Sequence, residues 1–343
     1  MRPEVLSTMS AIHIARAGGP EVLQGTTWPM PQPAPGELLV RVEFAGVNRH
    51  DCNQRAAARH SNPRLPANIP GLEVAGEVIA CGEGVSGFAP GDFVCALADG
   101  GGYAQACIVD AALAFAWPRA NARAGAALPE ALFTSWYNLV DLARLRPGET
   151  VLIHGGTSGV GIVATQLAAK LGARAWTTCG TDAKCAISRE FGASRTFNYR
   201  SSDFAASLQA AAADGINVIL DLSGLRYFNL NLKLAAERGR IVYLSSAGAP
   251  GPVDGTAFMA RQVWTTSSRL RPLPRAHKAR LAADMAEAAW LDLGAIRLLI
   301  DSEFPLAEAA GAHQRMESGE HAGKIVLAVG HDGADAVIHH TTT

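Results

Sequence analysis

A glycine-rich turn between two apolar segments constrains the fold of this chain more than any other feature. Residues 151–161 read VLIHGGTSGVG, in which aliphatic residues typical of a buried strand lead into four glycines, and a helical pattern follows. After a strand and before a helix, such a turn lets backbone N–H groups approach a pyrophosphate closely. The spacing Gly156-x-x-Gly159-x-Gly161 departs from the strict GxGxxG pattern, so a purely structural corner is the alternative. We interpret the stretch as a dinucleotide-binding turn.

The segments around this turn predict a parallel sheet. From about residue 129 to residue 261, short apolar segments alternate with helical patterns, as in a series of βαβ units. The predicted strands are TVLIHG (150–155), ARAWTTCG (173–180), SRTFNY (194–199), NVILDLSG (217–224) and GRIVYLSS (239–246). The fold class expected from this series is α/β.

The N-terminal third has a different pattern. Strand-like segments at 38–44, 74–82, 92–98 and 104–109 are separated by clusters of glycine and proline, which is typical of a β-rich or partly open barrel domain. A chain of 343 residues is long enough for two such domains.

Charge and composition exclude several classes of partner. The formal net charge is -1, so the chain offers no basic platform for nucleic acid. No apolar run approaches the roughly 18 residues of a membrane span, and the first ten residues lack the apolar core of a signal peptide. We therefore expect no membrane partner and a cytoplasmic location. The six cysteines form no CxxC pair or metal-ligand cluster, and we expect them to be reduced and mostly buried.

The end of the second predicted strand favours NADP over NAD. An enzyme that binds NAD usually has Asp or Glu there to hold the ribose 2′-hydroxyl. Here the strand ends in Thr177-Thr178-Cys179-Gly180-Thr181, and the first carboxylate is Asp182. Lys184 follows, with Tyr199 and Arg200 further along, and a cation suits a 2′-phosphate. The alternative for Lys184 is a solvated lysine at a helix start.

Several motifs, in order along the chain, resemble the zinc-free quinone oxidoreductase branch of the medium-chain dehydrogenase/reductase superfamily, which is related to zeta-crystallin. They are GVNRHD (46–51), PGLEVAGEV (70–78), GDFVCAL (91–97), GGGYAQ (100–105), VLIHGGTSGVG (151–161), FNYRSSDF (197–204), SSRLRP (267–272) and GKIVL (323–327). The resemblance implies a GroES-like, β-rich catalytic domain formed by residues 1–127 and completed by 268–343. It implies a Rossmann NADP-binding domain over 128–267, with NADPH in the cleft.

The resemblance also bears on metal. Zinc members of the superfamily have Cys at the position of Asn48 and His within the motif that here reads Gly71-Leu72-Glu73, so no zinc is expected. Without a Lewis acid an alcohol is a poor substrate, because nothing lowers the pKa of its hydroxyl. Hydride transfer from NADPH to a quinone or an α,β-unsaturated carbonyl is easier, since the charge on oxygen is delocalised.

Individual roles follow from the same resemblance. Asn48 and Thr134 are the candidate catalytic residues, in the substrate cleft and the nicotinamide region. Ser158 to Val160 would hold the pyrophosphate, Lys184 and Tyr199 the adenosine phosphate, and Leu270 and Arg271 would close the cleft. The full set of expected cofactor-binding residues is Gly156, Ser158, Gly159, Val160, Gly161, Lys184, Tyr199, Ser245, Leu270, Arg271, Gly323 and Lys324. The alternatives are that Asn48 caps a turn, Thr134 bonds its own helix backbone and Arg271 is a surface charge.

Two questions stay open at the level of sequence. A basic segment, comprising Arg49, Arg55, Arg59, His60 and Arg64, is either a solvated loop or a site for an anionic acceptor such as an acyl thioester. An enoyl thioester reductase and a low-turnover NADPH-binding protein are therefore the alternative functions. The resemblance also implies a homodimer, and the strand expected at Val263 to Ser267 would offer an exposed edge for pairing.

Overall fold

The computed structural model describes residues 7–58, 68–288 and 291–330. The chain divides into two compact units. Of the described residues, unit 1 comprises those up to Glu130 and those from Leu298 to 330, and unit 2 comprises those between Ala131 and Arg297. Residues 268–297, which we expected to complete the catalytic domain, group with unit 2 instead.

Strands and helices are numbered separately in chain order. The strands are β1 Thr8–Ile14, β2 Leu23–Pro29, β3 Glu37–Val47, β4 Glu73–Cys81, β5 Phe93–Leu97, β6 Ala106–Asp110, β7 Ala114–Ala116, β8 Thr150–His154, β9 Arg174–Cys179, β10 Arg195–Asn198, β11 Ile216–Asp221, β12 Ala235–Tyr243, β13 Trp264–Ser267, β14 Ile300–Pro305 and β15 Lys324–Ala328. The helices are α1 Arg49–Ala57, α2 Ala122–Gly125, α3 Pro129–Trp136, α4 Gly159–Lys170, α5 Asp182–Glu190, α6 Phe204–Ala211, α7 Phe228–Leu234, α8 Gly255–Ala260, α9 Arg275–Glu287 and α10 Ala309–Ser318.

Unit 2 contains the parallel sheet predicted from the βαβ pattern. Its strand order is β10-β9-β8-β11-β12-β13, and every pairing in it is parallel. The central strands β8 and β11 consist largely of fully buried aliphatic residues, because helices cover both faces of such a sheet. The order changes direction between β8 and β11, and the glycine-rich turn follows β8 at that point.

Unit 1 is built mainly from antiparallel strands. A seven-stranded sheet has the order β14-β15-β3-β4-β5-β7, with β6 also paired to β3, while β1 and β2 form a hairpin. Strand β3 lies between β15 and β4, so the end of the described chain is placed beside residues near position 47. The predicted combination of a β-rich part and a parallel α/β part is confirmed.

All six cysteines lie in the described part of the chain as free thiols, and five of them are buried, as predicted. Burial raises the pKa of the Cys52 thiol and of the Cys107 thiol to about 12, which keeps both protonated. Over the residues described, no helix combines the length and apolar character needed to cross a bilayer.

Candidate functional site

The glycine-rich turn carries the chain from β8 into α4. Its first two glycines, Gly155 and Gly156, donate their N–H groups to the Thr178 carbonyl at 3.1 and 3.0 Å. Ser158 is the N-cap of α4: its Oγ accepts the Gly161 N–H at 3.0 Å and donates to the Gly155 carbonyl at 2.8 Å. The Ser158 hydroxyl is therefore already engaged within the turn. An anion would meet the start of α4 itself, where helices leave N–H groups without intrahelical acceptors.

Two of the glycines expected to bind the cofactor are explained by packing. A Cβ atom on Gly161 would lie 2.2 Å from the Gly155 carbonyl oxygen, and one on Gly156 would lie 2.4 Å from Cβ of Thr177. Gly161 thus lets α4 approach the backbone of the turn, and Gly156 lets the turn approach β9; close packing of this kind is one of the roles of glycine in a dinucleotide-binding turn. Gly159 and Val160 are the first two residues of α4, so they are the members of the turn best placed to contact an anion.

Lys184 and Tyr199 lie near the carboxyl end of β9. Lys184 is in the first turn of α5, with its side chain half-buried. The Tyr199 N–H donates to the Cys179 carbonyl at 2.9 Å, and a Cβ atom on Gly180 would lie 2.6 Å from Tyr199 Oη. The phenol thus lies directly against the Gly180 backbone.

A row of buried polar side chains crosses the carboxyl edge of the same sheet. Thr178, His154, Asp221 and Tyr243 are successive register partners on β9, β8, β11 and β12. Asn231 of α7 lies across the row, with its Oδ1 2.9 Å from His154 Nε2 and its Nδ2 donating to Asp221 Oδ2 at 2.8 Å. We call these five residues the polar row.

The chemistry of its partners fixes the protonation of His154. Because Asn231 donates to Asp221, its oxygen faces His154 Nε2, and that nitrogen must carry the hydrogen. His154 Nδ1 then accepts from Thr178 Oγ1 at 3.0 Å. Burial lowers the pKa of His154 although Asp221 opposes the shift, so the ring is neutral. Asp221 Oδ1 in turn accepts the N–H groups of residues 223 and 224. The polar row therefore connects the glycine turn to the loop after β11.

In unit 1, Asn48, Glu73 and Lys324 form a group that we call the Asn48 cluster. Lys324 Nζ lies 2.5 Å from both Asn48 Oδ1 and Glu73 Oε1, and Asn48 Nδ2 donates to Glu73 Oε1 at 2.8 Å. Glu73 Oε2 accepts the Glu130 N–H at 2.9 Å. Glu73 is completely buried and Lys324 is 4% exposed. Gly46 makes the room, since a Cβ atom there would lie 2.3 Å from Glu73 Oε1.

The structure changes the interpretation of the basic segment. Arg55 is 2% exposed; it donates to His313 Nδ1 at 3.1 Å and to Glu317 Oε1 at 2.5 Å. His313 Nε2 therefore carries its hydrogen and donates to Tyr103 Oη at 3.0 Å. Burial, aided by the nearby arginines, lowers the pKa of His313 to about 3. Arg55 is thus neither solvated nor available to an anion, because it is bonded inside the fold.

Other parts of the basic segment differ from Arg55. Arg49 is exposed and donates to the Met316 carbonyl at 2.6 Å. Arg59, His60 and Arg64 lie outside the described residues. The structure therefore does not test whether these three residues form the predicted anion site.

The remaining predicted residues lie in separate places. Thr134 is buried in α3, and Ser245 lies in the loop after β12, where its Oγ accepts the Ala247 N–H at 3.1 Å. Leu270 and Arg271 are half-buried in the segment between β13 and α9. Gly323 has a φ of 88°, and a Cβ atom there would lie 2.1 Å from the Leu299 carbonyl oxygen. Glycine at 323 is thus required by the local backbone.

Side chains that could bind a metal are dispersed in the described ranges. Among residues 7–58, 68–288 and 291–330, no three His, Cys, Asp or Glu side chains are grouped so that they could hold a metal ion. Leu72, at the position discussed for zinc, is buried and has only carbon atoms in its side chain.

Comparison with known proteins identifies the family. A model described as alcohol dehydrogenase GroES-like domain matches residues 34–119, and one described as zinc-binding dehydrogenase matches residues 191–327. Quinone oxidoreductase from Sus scrofa is 32% identical over 329 residues, covering 93% of this chain and 97% of that protein. The chain belongs to the quinone oxidoreductase family. As a member of this family it is an oxidoreductase of the medium-chain dehydrogenase/reductase superfamily, as predicted.

This quinone oxidoreductase family member is also similar to a protein whose structure was solved with NADPH and to a segment of a much longer synthase. A mycobacterial protein solved in complex with NADPH is 31% identical and has a TM-score of 0.79, with 93% of this chain and 99% of that chain covered. The phthioceranic/hydroxyphthioceranic acid synthase of Mycobacterium tuberculosis is 30% identical over an alignment of 352 positions, which covers 98% of this chain but only 16% of that protein.

Sequence reasoning missed several residues of these networks. Glu73 and His154 stand inside quoted motifs, each directly beside a run of apolar residues at one end of its strand, and that position was a usable signal. Asn231 and His313 carry no comparable signal, because each lies in a helix among other polar residues.

Proposed function

We propose that this quinone oxidoreductase family member is an NADPH-dependent reductase of quinones and other electron-poor carbonyl compounds, and that it works without zinc. The similarity to quinone oxidoreductases over nearly the whole chain carries the proposal. When bound, NADPH supplies the hydride, and solvent supplies the proton that completes reduction of the acceptor.

The residues of unit 2 fit such a cofactor. In this proposal, the N–H groups of Gly159 and Val160 bind the pyrophosphate at the start of α4, where the helix dipole also favours an anion. Lys184 and Tyr199 hold the adenosine phosphate near the end of β9. Asp182, the nearest carboxylate along the chain, accepts from Asn198 Nδ2 at 2.9 Å, and this contact restrains it.

In unit 1, Asn48 would act on the acceptor. Hydride transfer places negative charge on the acceptor oxygen, and a fixed N–H donor stabilises that charge more in the transition state than in the ground state. Asn48 is partly exposed and lies between β3 and α1, where the Asp51 carboxylate accepts its backbone N–H at 2.8 Å. Replacement of Asn48 should therefore reduce kcat more than it raises KM.

The absence of zinc is proposed from side-chain chemistry. Leu72 offers no ligand, and the ammonium of Lys324 already supplies a positive charge between the oxygens of Asn48 and Glu73. We expect activity to survive exhaustive chelation, and elemental analysis of the purified protein to find no stoichiometric zinc. One tightly bound zinc per chain, or loss of activity on chelation that zinc restores, would contradict this.

The function is tested by NADPH oxidation against a panel of acceptors. We expect turnover with a quinone and with a short α,β-unsaturated ketone, and none with a simple alcohol and NADP. NADPH binding is measured separately by fluorescence titration. Tight binding without turnover of any acceptor would overturn the reductase proposal and favour the low-turnover NADPH-binding alternative.

An enoyl thioester reductase is the second candidate. An enoyl thioester is an electron-poor acceptor of the same kind as an α,β-unsaturated ketone, and the chain is 30% identical to a segment of a protein named as a synthase of phthioceranic and hydroxyphthioceranic acids. The basic segment gives it less support than the sequence suggested, because Arg55 is bonded to His313 and Glu317 inside unit 1. A crotonyl thioester belongs in the same panel. A kcat/KM for it well above that for quinones would favour this candidate.

A further inference from the structure

In the Asn48 cluster, each end of the Asn48 side-chain amide contacts a different charged group. A side-chain amide has an oxygen that accepts and a nitrogen that donates, and these two ends are similar in size. Only one of the two orientations would present an N–H to a developing oxyanion. The residues around Asn48 therefore decide whether its amide can serve as a donor.

We infer that Glu73 and Lys324 are positioning residues that hold the Asn48 amide in the donor orientation, an inference that rests on the proposed function. The Lys324 ammonium can only donate, so the atom 2.5 Å from it must be Oδ1 of Asn48. The Glu73 carboxylate accepts, so the atom 2.8 Å from its Oε1 must be Nδ2. Rotation of the amide by half a turn would create a repulsive contact at both ends.

The fold holds these two partners firmly. Glu73 begins β4 and Lys324 begins β15, and β3, which leads into Asn48, lies between those strands. The second Glu73 oxygen is held by the Glu130 N–H. Both charged groups are buried, and charge-assisted hydrogen bonds are stronger where water is excluded. The amide is thus oriented by groups that cannot easily rearrange.

This arrangement leaves one donor available. Of the two hydrogens on Asn48 Nδ2, one is donated to Glu73, and no described residue of the chain accepts the other. A donor fixed before the reaction needs no reorganisation as charge develops, which is where most of the benefit of such groups comes from. Glu73 and Lys324 do not themselves need to contact the acceptor.

The test is a double variant that reverses the preferred orientation of the amide. Glu73→Gln keeps an oxygen for the Glu130 N–H and presents an NH₂ group to Asn48, and Lys324→Met removes the ammonium. Changing both residues leaves no unpaired buried charge, so the fold should tolerate it. We expect kcat for a quinone to fall about 10- to 100-fold, as for Asn48→Ala, with little change in KM.

The decisive comparison is a double-mutant cycle with Asn48→Ala. In the wild-type background, Asn48→Ala should lower kcat by the full factor, about 10- to 100-fold. In the E73Q/K324M background, it should lower kcat almost no further. The control is Asp301→Asn with Arg315→Met, which removes another ion pair of unit 1, at 2.9 Å, and should leave kcat unchanged. A full effect of Asn48→Ala in both backgrounds would overturn the inference.

A spectroscopic measurement separates this inference from the proposed function. The side-chain amide resonances of Asn48, assigned by their loss in Asn48→Ala, report its hydrogen bonds whether or not the protein turns over. We expect one proton shifted by its bond to Glu73 in the wild type and a changed pattern in E73Q/K324M. Unchanged resonances would overturn the inference, whereas failure of every acceptor with intact NADPH binding would overturn the proposed function.

Discussion

Lys184 lies in the first turn of α5, near the end of β9, where we propose that the 2′-phosphate of NADPH binds. A charge-assisted hydrogen bond to a phosphate contributes roughly 1.5 to 3 kcal/mol. We expect Lys184→Ala to weaken NADPH about 10- to 100-fold, at about 1.4 kcal/mol per tenfold, and to leave NADH nearly unchanged. Fluorescence titration with both cofactors checks this. Lys170→Ala, at an exposed lysine in α4, is the control, and equal losses for NADPH and NADH would contradict the assignment.

Substitutions in the glycine-rich turn should have two different effects: one glycine is needed for folding as well as for NADPH binding, and another is needed for binding alone. Gly161→Ala would place a Cβ atom 2.2 Å from the Gly155 carbonyl oxygen, so we expect a lower melting temperature together with lost binding. Gly159→Val adds its side chain at the first helical residue, whose φ is not positive. We expect this variant to lose NADPH binding and stay folded. Calorimetry and circular dichroism measure the two effects. Tight binding by Gly159→Val would show that the turn is only a structural corner.

At the scale of elements, the polar row joins the ends of four strands. Thr178→Val removes the hydroxyl that donates to His154 Nδ1 and keeps the shape of the residue. Because the Thr178 carbonyl also holds the glycine turn, we expect NADPH affinity to fall about 5- to 30-fold, the effect of one lost buried hydrogen bond of roughly 1 to 2 kcal/mol. Thr178→Ser keeps the hydroxyl and should restore most of the affinity.

A matched control distinguishes positioning from general loss of stability. Ser194→Ala removes a hydrogen bond of 3.0 Å to the Ala175 carbonyl, near the opposite edge of the same sheet. It should lower the melting temperature and leave NADPH affinity unchanged. If Thr178→Val lowers only the melting temperature, the polar row contributes to folding and not to cofactor binding.

The elements themselves could largely be predicted from the sequence, and the networks between them could not. Alternating apolar strands and helices predicted β8 to β12, because a strand buried on both faces needs a continuous aliphatic run. The pairing of Lys324 with Glu73 depends on how β15 and β4 flank β3, which no local pattern reveals. Arg55 was misinterpreted for the same reason, since its partner His313 belongs to α10.

The two buried histidines make the stability of the whole molecule depend on pH. Burial lowers the pKa of both His154 and His313, the latter to about 3, whereas an unfolded histidine titrates near 6.5. Above about pH 6.5 both are neutral in either state, and the full stability is present. As pH falls below that value, the unfolded chain binds protons that the folded chain does not, so stability is lost, at up to about 1.4 kcal/mol per pH unit for His313 and with the same sign for His154.

Urea denaturation at pH 7.5, 6.0 and 5.0 measures this dependence. We expect the midpoint to be highest at pH 7.5 and to fall steadily towards pH 5.0. His313→Gln removes the group with the pKa lowered to about 3 and should make the midpoint fall less between pH 7.5 and 5.0, whatever its effect on stability at pH 7.5. A midpoint that does not change between pH 7.5 and 5.0 would show that neither histidine is held neutral.

Assembly is the last prediction at this scale. Strand β13 is the edge of the parallel sheet, and it begins with Trp264, which is 50% exposed. An edge strand presents unpaired N–H and C=O groups that favour pairing across a two-fold axis. We expect a homodimer with twice the chain mass of 35.9 kDa by light scattering at micromolar concentration. Trp264→Glu should shift the measured mass towards that of the monomer, because it places like charges at the shared edge. Val253→Glu is the control: Val253 lies in the loop before α8 and is 54% exposed, and its replacement should leave the mass unchanged. A wild-type monomer would exclude this mode of assembly.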